Sequence, residues 1–376
     1  MKKYIILILL LVSACYPRWN STPANVEPVI TEPQIVEPTV AKPAILEPIN
    51  VSHKKPRHVK PTKKPRKISL KNGVVLVPTS FDKLQGWEKD NHKEALKVFN
   101  KSCKKNKKYK GLCNKKPRNA KAFLEKNFTP YLVTDRNGKA AGTFTGYYEI
   151  GLKGSYKKHG KYQYPLYAPP PKKYLKLTRK QVDNGGLNGL KKEILWLDNP
   201  VDVFSLHIQG SGLVKLDDGT YTRIGYAGRN AHKYASIGTW MMKNKYVPKN
   251  GMSATGIRNW LRNHPDKMHY IMQKNPSYIY FRETGAKGAI GAAGVALTGE
   301  RSMAVDRRYV ELGSMLWLDT KLPDYKKYQR LFVAQDTGSA IKGKTRGDIF
   351  FGLGDRATYL ASHMKQKGRY YLLVRN

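Results

Sequence analysis

The sequence predicts a mostly β protein with peripheral helices, and three observations carry that expectation. Past residue 140 the chain breaks into short runs rich in aromatic and β-branched residues, bounded by glycine and polar residues. That composition suits the pleated, half-buried strands of a barrel or sandwich. Longer stretches with helical spacing of apolar residues precede these runs and interrupt them once. Ahead of both stands a segment that cannot form a core.

The chain opens "MKKYIILILLLVSAC": Lys2 and Lys3, a short apolar run, then small residues before Cys15. The apolar run falls short of the about 20 residues a spanning helix needs, and the order is that of a secretory signal over residues 1–14. "LVSAC" also resembles the lipobox of bacterial lipoproteins, which implies cleavage before Cys15 and acylation of its sulfur. Tyr16 follows rather than aspartate, which favours an outer-membrane lipoprotein facing the periplasm of a Gram-negative cell. An ordinary signal peptide with an incidental cysteine is the alternative. With Cys15 lipidated, Cys103 and Cys113 remain as an even pair in an oxidising compartment. A disulfide between them would close a small loop and contribute about 2–3 kcal/mol; two free thiols are the other reading.

Residues 15–68 form the expected tether. Prolines recur at 23, 28, 33, 38, 43 and 48, and "HKKPRHVKPTKKPRK" carries eight Lys or Arg and no acid. Proline fixes φ and donates no backbone hydrogen bond, so the segment reads as a stiff, extended spacer. At about 3 Å per residue it reaches on the order of 150 Å.

The net charge of the 376-residue chain is +42, a field that attracts polyanions. Nucleic acid is set aside, because the export signal argues against it and no helix-turn-helix, RNP or zinc-finger pattern appears. Carboxylate-bearing cell-wall glycan and anionic headgroups are the fitting partners.

Helix-like spacing covers "FDKLQGWEKDNHKEALKVFNKSC" from 81, "NAKAFLEKNFTP" from 119 and "TGIRNWLRNHPDKMHYIMQ" from 255. Strand-like runs are "AGTFTGYYEI" from 141, "VDVFSLHIQGSG" from 201, "TYTRIGYAG" from 220, "SMLWLDT" from 314, "RLFVAQDTG" from 330 and "YYLLVR" from 370.

Several chemistries fail on spacing. There is no HExxH, CxxC pair or EF-hand loop, so no metal or other cofactor is expected. Asp-Thr-Gly at 336–338 suggests an aspartic protease, but that reaction needs two such aspartates sharing a proton and the chain has one DTG. "QGSG" at 209–212 lacks the spacing of a serine nucleophile elbow. His207 and His232 read as structural or surface groups. Glycoside cleavage remains, and it needs an acid kept protonated by an apolar pocket. Asp348 in "RGDIFFG" has Ile349, Phe350 and Phe351 on one side and Arg346 on the other. Burial would raise its pKa and Arg346 or Lys342 would lower it; sequence leaves the balance open.

From about residue 75 onward the chain resembles the membrane-bound lytic murein transglycosylase A family. The resemblance rests on "GYYE" (146–149), "DVFSLHIQGSG" (202–212), "YAGRNAHKYASIG" (226–238), "NPSYIYFRE" (275–283) and "VALTGERSMAVDRRYVELGS" (295–314). It continues through "AQDTGSAIKGKTRGDIFFG" (334–352) and "DRATYLASHMKQKGRYYLLV" (355–374). It implies a double-psi β-barrel from 69–150 and 287–376, the latter a three-aspartate domain, with a second β domain inserted at 151–286. It implies Asp348 as catalytic acid, with Asp336 and Asp306 supporting it. Thr145, Tyr147, Tyr148, Gln209, Gly210 and Ser211 are the candidates to line a glycan groove. The implied reaction is that of a carbon–oxygen lyase: cleavage of the β-1,4 bond between MurNAc and GlcNAc, with the C6 hydroxyl as nucleophile and a 1,6-anhydro product. The expected partners are peptidoglycan, a membrane through Cys15, and proteins of cell-wall synthesis. A non-catalytic peptidoglycan-binding lipoprotein and a hydrolase using Asp306 or Asp336 to activate water are the rival readings. The five-residue proline period, the basicity and the cysteine pair depart from the family pattern.

Overall fold

A computed structural model describes residues 65–70, 72–248, 253–285 and 288–376. The signal, Cys15 and nearly all of the expected tether lie outside them. Strands β1 (Ile68–Ser69), β2 (Val75–Pro78) and β3 (Phe128–Thr134) come first, with helices α1 (His92–Ser102) and α2 (Ala120–Asn127) between β2 and β3. The middle of the chain holds β4 (Gly142–Ser155), β5 (Tyr164–Tyr167), α3 (Arg179–Asp183), β6 (Glu193–Leu197), α4 (Pro200–Gln209), β7 (Ser211–Leu216) and β8 (Tyr221–Arg229). Next come α5 (Ile237–Lys243), α6 (Ala254–Asn263), α7 (Pro265–Met272) and β9 (Ile279–Glu283). The C-terminal piece is β10 (Ser302–Val305), β11 (Met315–Lys321), β12 (Lys327–Asp336), β13 (Arg346–Leu353), α8 (Asp355–His363) and β14 (Lys365–Arg375). The fold is mostly β, as expected.

Two-residue periodicity sorts the C-terminal strands between two cores. Leu316 and Leu318 of β11, with Phe332 and Ala334 of β12, face the core shared with β4 and β13. Met315, Trp317, Leu331 and Val333 face the opposite way, into a layer built with Trp87, Leu96, Phe99 and Leu124. Helices α1 and α2 therefore cover one face of the sheet, and the Trp87 and Trp317 rings meet edge to face at 5.1 Å. Buried Arg301 ties this layer down: its Nε donates to Glu94 at 2.8 Å and its Nη1 to Asp90 at 2.9 Å. Both carboxylates lie in the N-terminal piece, so a charge with no water around it is paired across the sequence gap.

Strand β4 joins the pieces. Its first half pairs in parallel with β13, Thr145 opposite Asp348 and Tyr147 opposite Phe350. Its second half pairs in parallel with β7, Ile150 opposite Gly212 and Lys153 opposite Lys215. Phe144, Tyr148, Ile150 and Leu152 are buried, while Thr145 and Tyr147 are half-buried and Gly151 and Lys153 exposed. One face of β4 is thus core, while the other is half-buried at Thr145 and Tyr147, closed at Glu149 and exposed at Gly151 and Lys153. The expected domain boundary at 150/151 falls inside this strand.

Three expectations need correction. Residues 201–209 are helix α4, not strand. Asn199 accepts the Val201 N–H at the N-terminus, Pro200 sits in the first turn, and Gly210 closes the helix at φ 80°. These caps outweigh the β-branched content of "VDVFSLHI", and the strand begins only at Ser211. The stretch from 119 is helical only to Asn127, because Phe128 already belongs to β3. The stretch from 255 is split at His264 by Pro265, which starts α7. Cys103 and Cys113 form the disulfide, with Cys103 buried against the α1–α2 layer.

Candidate active site

Register builds the site. Ala304 of β10 lies opposite Asp336 on its parallel neighbour β12 and opposite Asp348 on its antiparallel neighbour β13. Thr145 of β4 lies opposite Asp348 on the far side. Thr145, Asp348, Ala304 and Asp336 therefore form one row across four adjacent strands. At about 4.8 Å per strand, the two aspartate backbones stand roughly 10 Å apart, bridged by a residue whose side chain is a single methyl.

Each carboxyl in the row has its own holder. The Thr145 hydroxyl donates to Asp348 Oδ1 and accepts from Arg346 Nη2 at 2.7 Å. The Tyr147 hydroxyl donates to Asp336 Oδ2 at 2.7 Å, and the Ala292 N–H donates to Asp336 Oδ1 at 2.9 Å. The Tyr147 ring packs 5.2 Å from that of Phe350. Burial pushes the Asp348 carboxyl above the usual carboxylate range, and the charge of Asp336 adds to the rise. The Thr145 bond and Arg346 oppose it without cancelling it. Asp336 is likewise raised by burial, against the bonds from Tyr147 and Ala292. Burial thus prevails over Arg346 at Asp348, and both aspartates are half-buried residues.

Asp306 is of another kind. Arg308 grips it through Nε at 3.0 Å and Nη2 at 2.6 Å, and the Gly343 N–H donates at 2.9 Å. Its pKa is held down at about 2, chiefly by the hydrogen bond from Arg308. Both its oxygens are engaged and it is buried, so it braces the loop before β13 rather than joining the Asp348–Asp336 row.

The remaining expected residues divide. Gln209 sits at the end of α4 and its Oε1 accepts the Tyr148 N–H at 3.1 Å, which locks the helix terminus to β4. Gly210 supplies the left-handed turn from α4 into β7. Tyr148 and Ser211 are buried, contrary to their expected place on a groove; Tyr148 is turned to the core by strand alternation in β4, and Ser211 is the first residue of β7. The Tyr148 hydroxyl accepts from Arg258 at 3.2 Å. His207 is buried, with Arg179 Nη2 at 2.8 Å from its Nδ1, and His232 reaches the Lys176 carbonyl at 2.8 Å.

Sequence reasoning missed the pair Glu149–Arg223. The buried carboxylate of "GYYE" receives Arg223 Nε at 2.8 Å and Nη2 at 2.9 Å, tying β8 to β4 across the intervening β7. A glutamate directly after two tyrosines inside a strand was the available signal. Ala292 was also missed; only its backbone takes part, and side-chain patterns carry no trace of that.

The class follows from these features: a discontinuous, mostly β protein whose pieces share one strand, with two aspartates of raised pKa in register beside an open strand face. Comparison with known proteins narrows it. The profile of the MltA specific insert domain matches residues 143–282 and that of the 3D domain matches 301–374. The structure of MltA from Neisseria gonorrhoeae superposes with a TM-score of 0.75 at 33% identity, covering 83% of this chain and 96% of that one. The structure of Escherichia coli MltA with bound chitohexaose gives 0.66 at 25% identity, covering 83% and 92%. Membrane-bound lytic murein transglycosylase A of Escherichia coli K12 is 33% identical over 238 residues, 61% of this chain. The aligned chain spans 65% of the length of that relative. The protein belongs to the MltA family.

Proposed function

We propose that the protein is a lytic transglycosylase of peptidoglycan, cleaving the β-1,4 bond between MurNAc and GlcNAc and leaving 1,6-anhydro-MurNAc ends. The carrying observation is Asp348, raised in pKa by burial and held by Thr145 beside the open face of β4. Such a carboxyl is protonated where an ordinary aspartate is not, as a general acid must be. Asp348 protonates the bridging oxygen as the bond to the anomeric carbon breaks. The resulting carboxylate takes the proton of the C6 hydroxyl as that oxygen attacks the same carbon. The proton balance closes on one residue, and intramolecular attack replaces a bound water. Asp336, held by Tyr147, orients Asp348 or supports the oxocarbenium-like charge between these steps. The bond to Arg308 and the low pKa it brings make Asp306 a weak base for activating water. The structure of Escherichia coli MltA with bound chitohexaose supports a β-1,4-linked sugar chain as ligand.

The same reading covers the architecture and anchor. The pairings β4–β13, β13–β10, β10–β12, β12–β11, β11–β14 and β14–β4 run in a closed circuit. We take that circuit as a double-psi β-barrel from 69–150 and 287–376, carrying the insert 151–286. The protein acts at the outer membrane, anchored through lipidated Cys15, with the proline-rich segment as spacer. No helix among the described residues is long and apolar enough to cross a membrane.

Mass spectrometry of the muropeptides released from purified murein tests the reaction. Anhydro-muropeptides are expected. Reducing-end products alone would make the protein a hydrolase, and binding without any product would make it a wall-binding lipoprotein.

A further inference from the structure

The open face of β4 does not stop at the carboxyls. Beyond them on the same side of the strand come buried Glu149, then exposed Gly151 and Lys153, and Lys153 lies directly opposite exposed Lys215 of β7. Like charges opposed across paired strands destabilise a sheet, and among the described residues neither lysine has an acidic partner within 4.0 Å. Both border a concavity of about 490 Å³ that also takes in Arg258, Arg262, Asp198 and Asp202. Arg262 Nη2 already occupies both oxygens of Asp202, at 2.6 and 2.8 Å. Arg258 Nε stands 3.5 Å from Asp202, and its Nη1 bonds the Tyr148 hydroxyl. The concavity keeps the charge of Lys153, Lys215 and part of Arg258 against Asp198, so its net sign is positive.

We infer that this concavity is a carboxylate-binding site for the peptide that peptidoglycan carries on its muramic acid residues. The inference rests on the peptidoglycan reading above and adds the part of the substrate that the insert contacts. Thr145 and Lys153 are eight positions apart on one strand, about 26 Å, and an extended tetrapeptide adds roughly 14 Å of reach. The peptide held here therefore hangs from a sugar bound along the groove, not from the one being cleaved. Anionic lipid headgroups share the charge, but Gly151, Leu152 and Lys153 of the concavity belong to the strand that carries Thr145, which favours substrate over membrane.

Soluble glycan strands of matched length, with and without their peptides, are digested by wild type and by the Lys153→Gln/Lys215→Gln double variant. Wild type is expected to show the lower KM on peptide-bearing strands. The variant is expected to lose that preference by about two- to tenfold, and high salt to erase it in wild type. Binding of a free acidic stem tetrapeptide, measured calorimetrically, should weaken in parallel. An unchanged KM ratio with unchanged tetrapeptide affinity overturns the site. Loss of binding to phosphatidylglycerol vesicles with an unchanged ratio overturns it in favour of lipid. A wild type that binds the tetrapeptide through these lysines but releases no product from either glycan would sink the lytic reading and leave the site standing.

Discussion

Asp348→Asn removes a charge at constant volume, and its two expected effects point in opposite directions. The amide cannot protonate a leaving oxygen, so kcat should fall by the about 10²–10⁴ that a positioned general acid supplies, or roughly 3–5 kcal/mol of barrier. Stability should rise. Because burial raises the folded-state pKa of Asp348, its ionisation opposes folding. That opposition is absent below the unfolded carboxyl pKa of about 3.9 and complete only above the raised folded value. The Thr145 hydroxyl can still donate to the amide oxygen, so that hydrogen bond is kept. Gains of this kind run to about 0.5–2 kcal/mol, which for a chain of this size is about 1–4 °C in Tm. Anhydro-muropeptide release by mass spectrometry, together with thermal denaturation at pH 8 and pH 4, reads both effects. The expected gain appears at pH 8 and is largely lost at pH 4. A rate within tenfold of wild type, or a Tm lowered at pH 8, would refute the assignment of Asp348 as a buried acid.

Tyr147→Phe should cost about 1–3 kcal/mol at neutral pH by leaving Asp336 with backbone donors only, from Ala292 and Thr337, and should lower kcat; unchanged denaturation midpoints would show that the bond carries nothing. Asn199→Ala should destabilise by about 1 kcal/mol through loss of the α4 cap, whereas a strand at 201–209 would leave urea unfolding unmoved. Cys103→Ser with Cys113→Ser should lower stability by about 2–3 kcal/mol, and an equal midpoint in oxidised and reduced wild type would contradict it. The Asp306 bond with Arg308 stabilises fully above about pH 4 and is lost as pH falls toward its folded value of about 2; Asp306→Asn should flatten that acid limb in a pH series of unfolding free energies.

Much of the fold was legible because strands advertise themselves by alternation: "SMLWLDT" and "RLFVAQDTG" read as strands and are strands. "VDVFSLHIQ" misled because its residues favour β structure individually while its ends, Asn199–Pro200 and Gly210, carry the helix. Capping is decided by two or three residues, and a run-based reading averages them away. At the site, Asp348 and Asp336 stood out by motif, but the row that unites them needs β10, four residues long with Ala304 at its centre. An alanine between two charged neighbours leaves no signature. Tyr147 and Tyr148 look equivalent in sequence, yet one holds Asp336 and the other is core, because the chain alternates and the register at Thr145 sets the phase.

The 14-residue strand β4 makes the offset between the two halves of the molecule a matter of counting. No hinge loop separates Thr145 from Lys153, so the strand position opposite the reacting carboxyl and the start of the insert are spaced like marks on a ruler with divisions of about 3.3 Å. Adding one residue between them would turn the rest of the open face inward. Only even-numbered changes preserve it, and the spacing can therefore evolve in steps of about 6.6 Å and not by smaller ones.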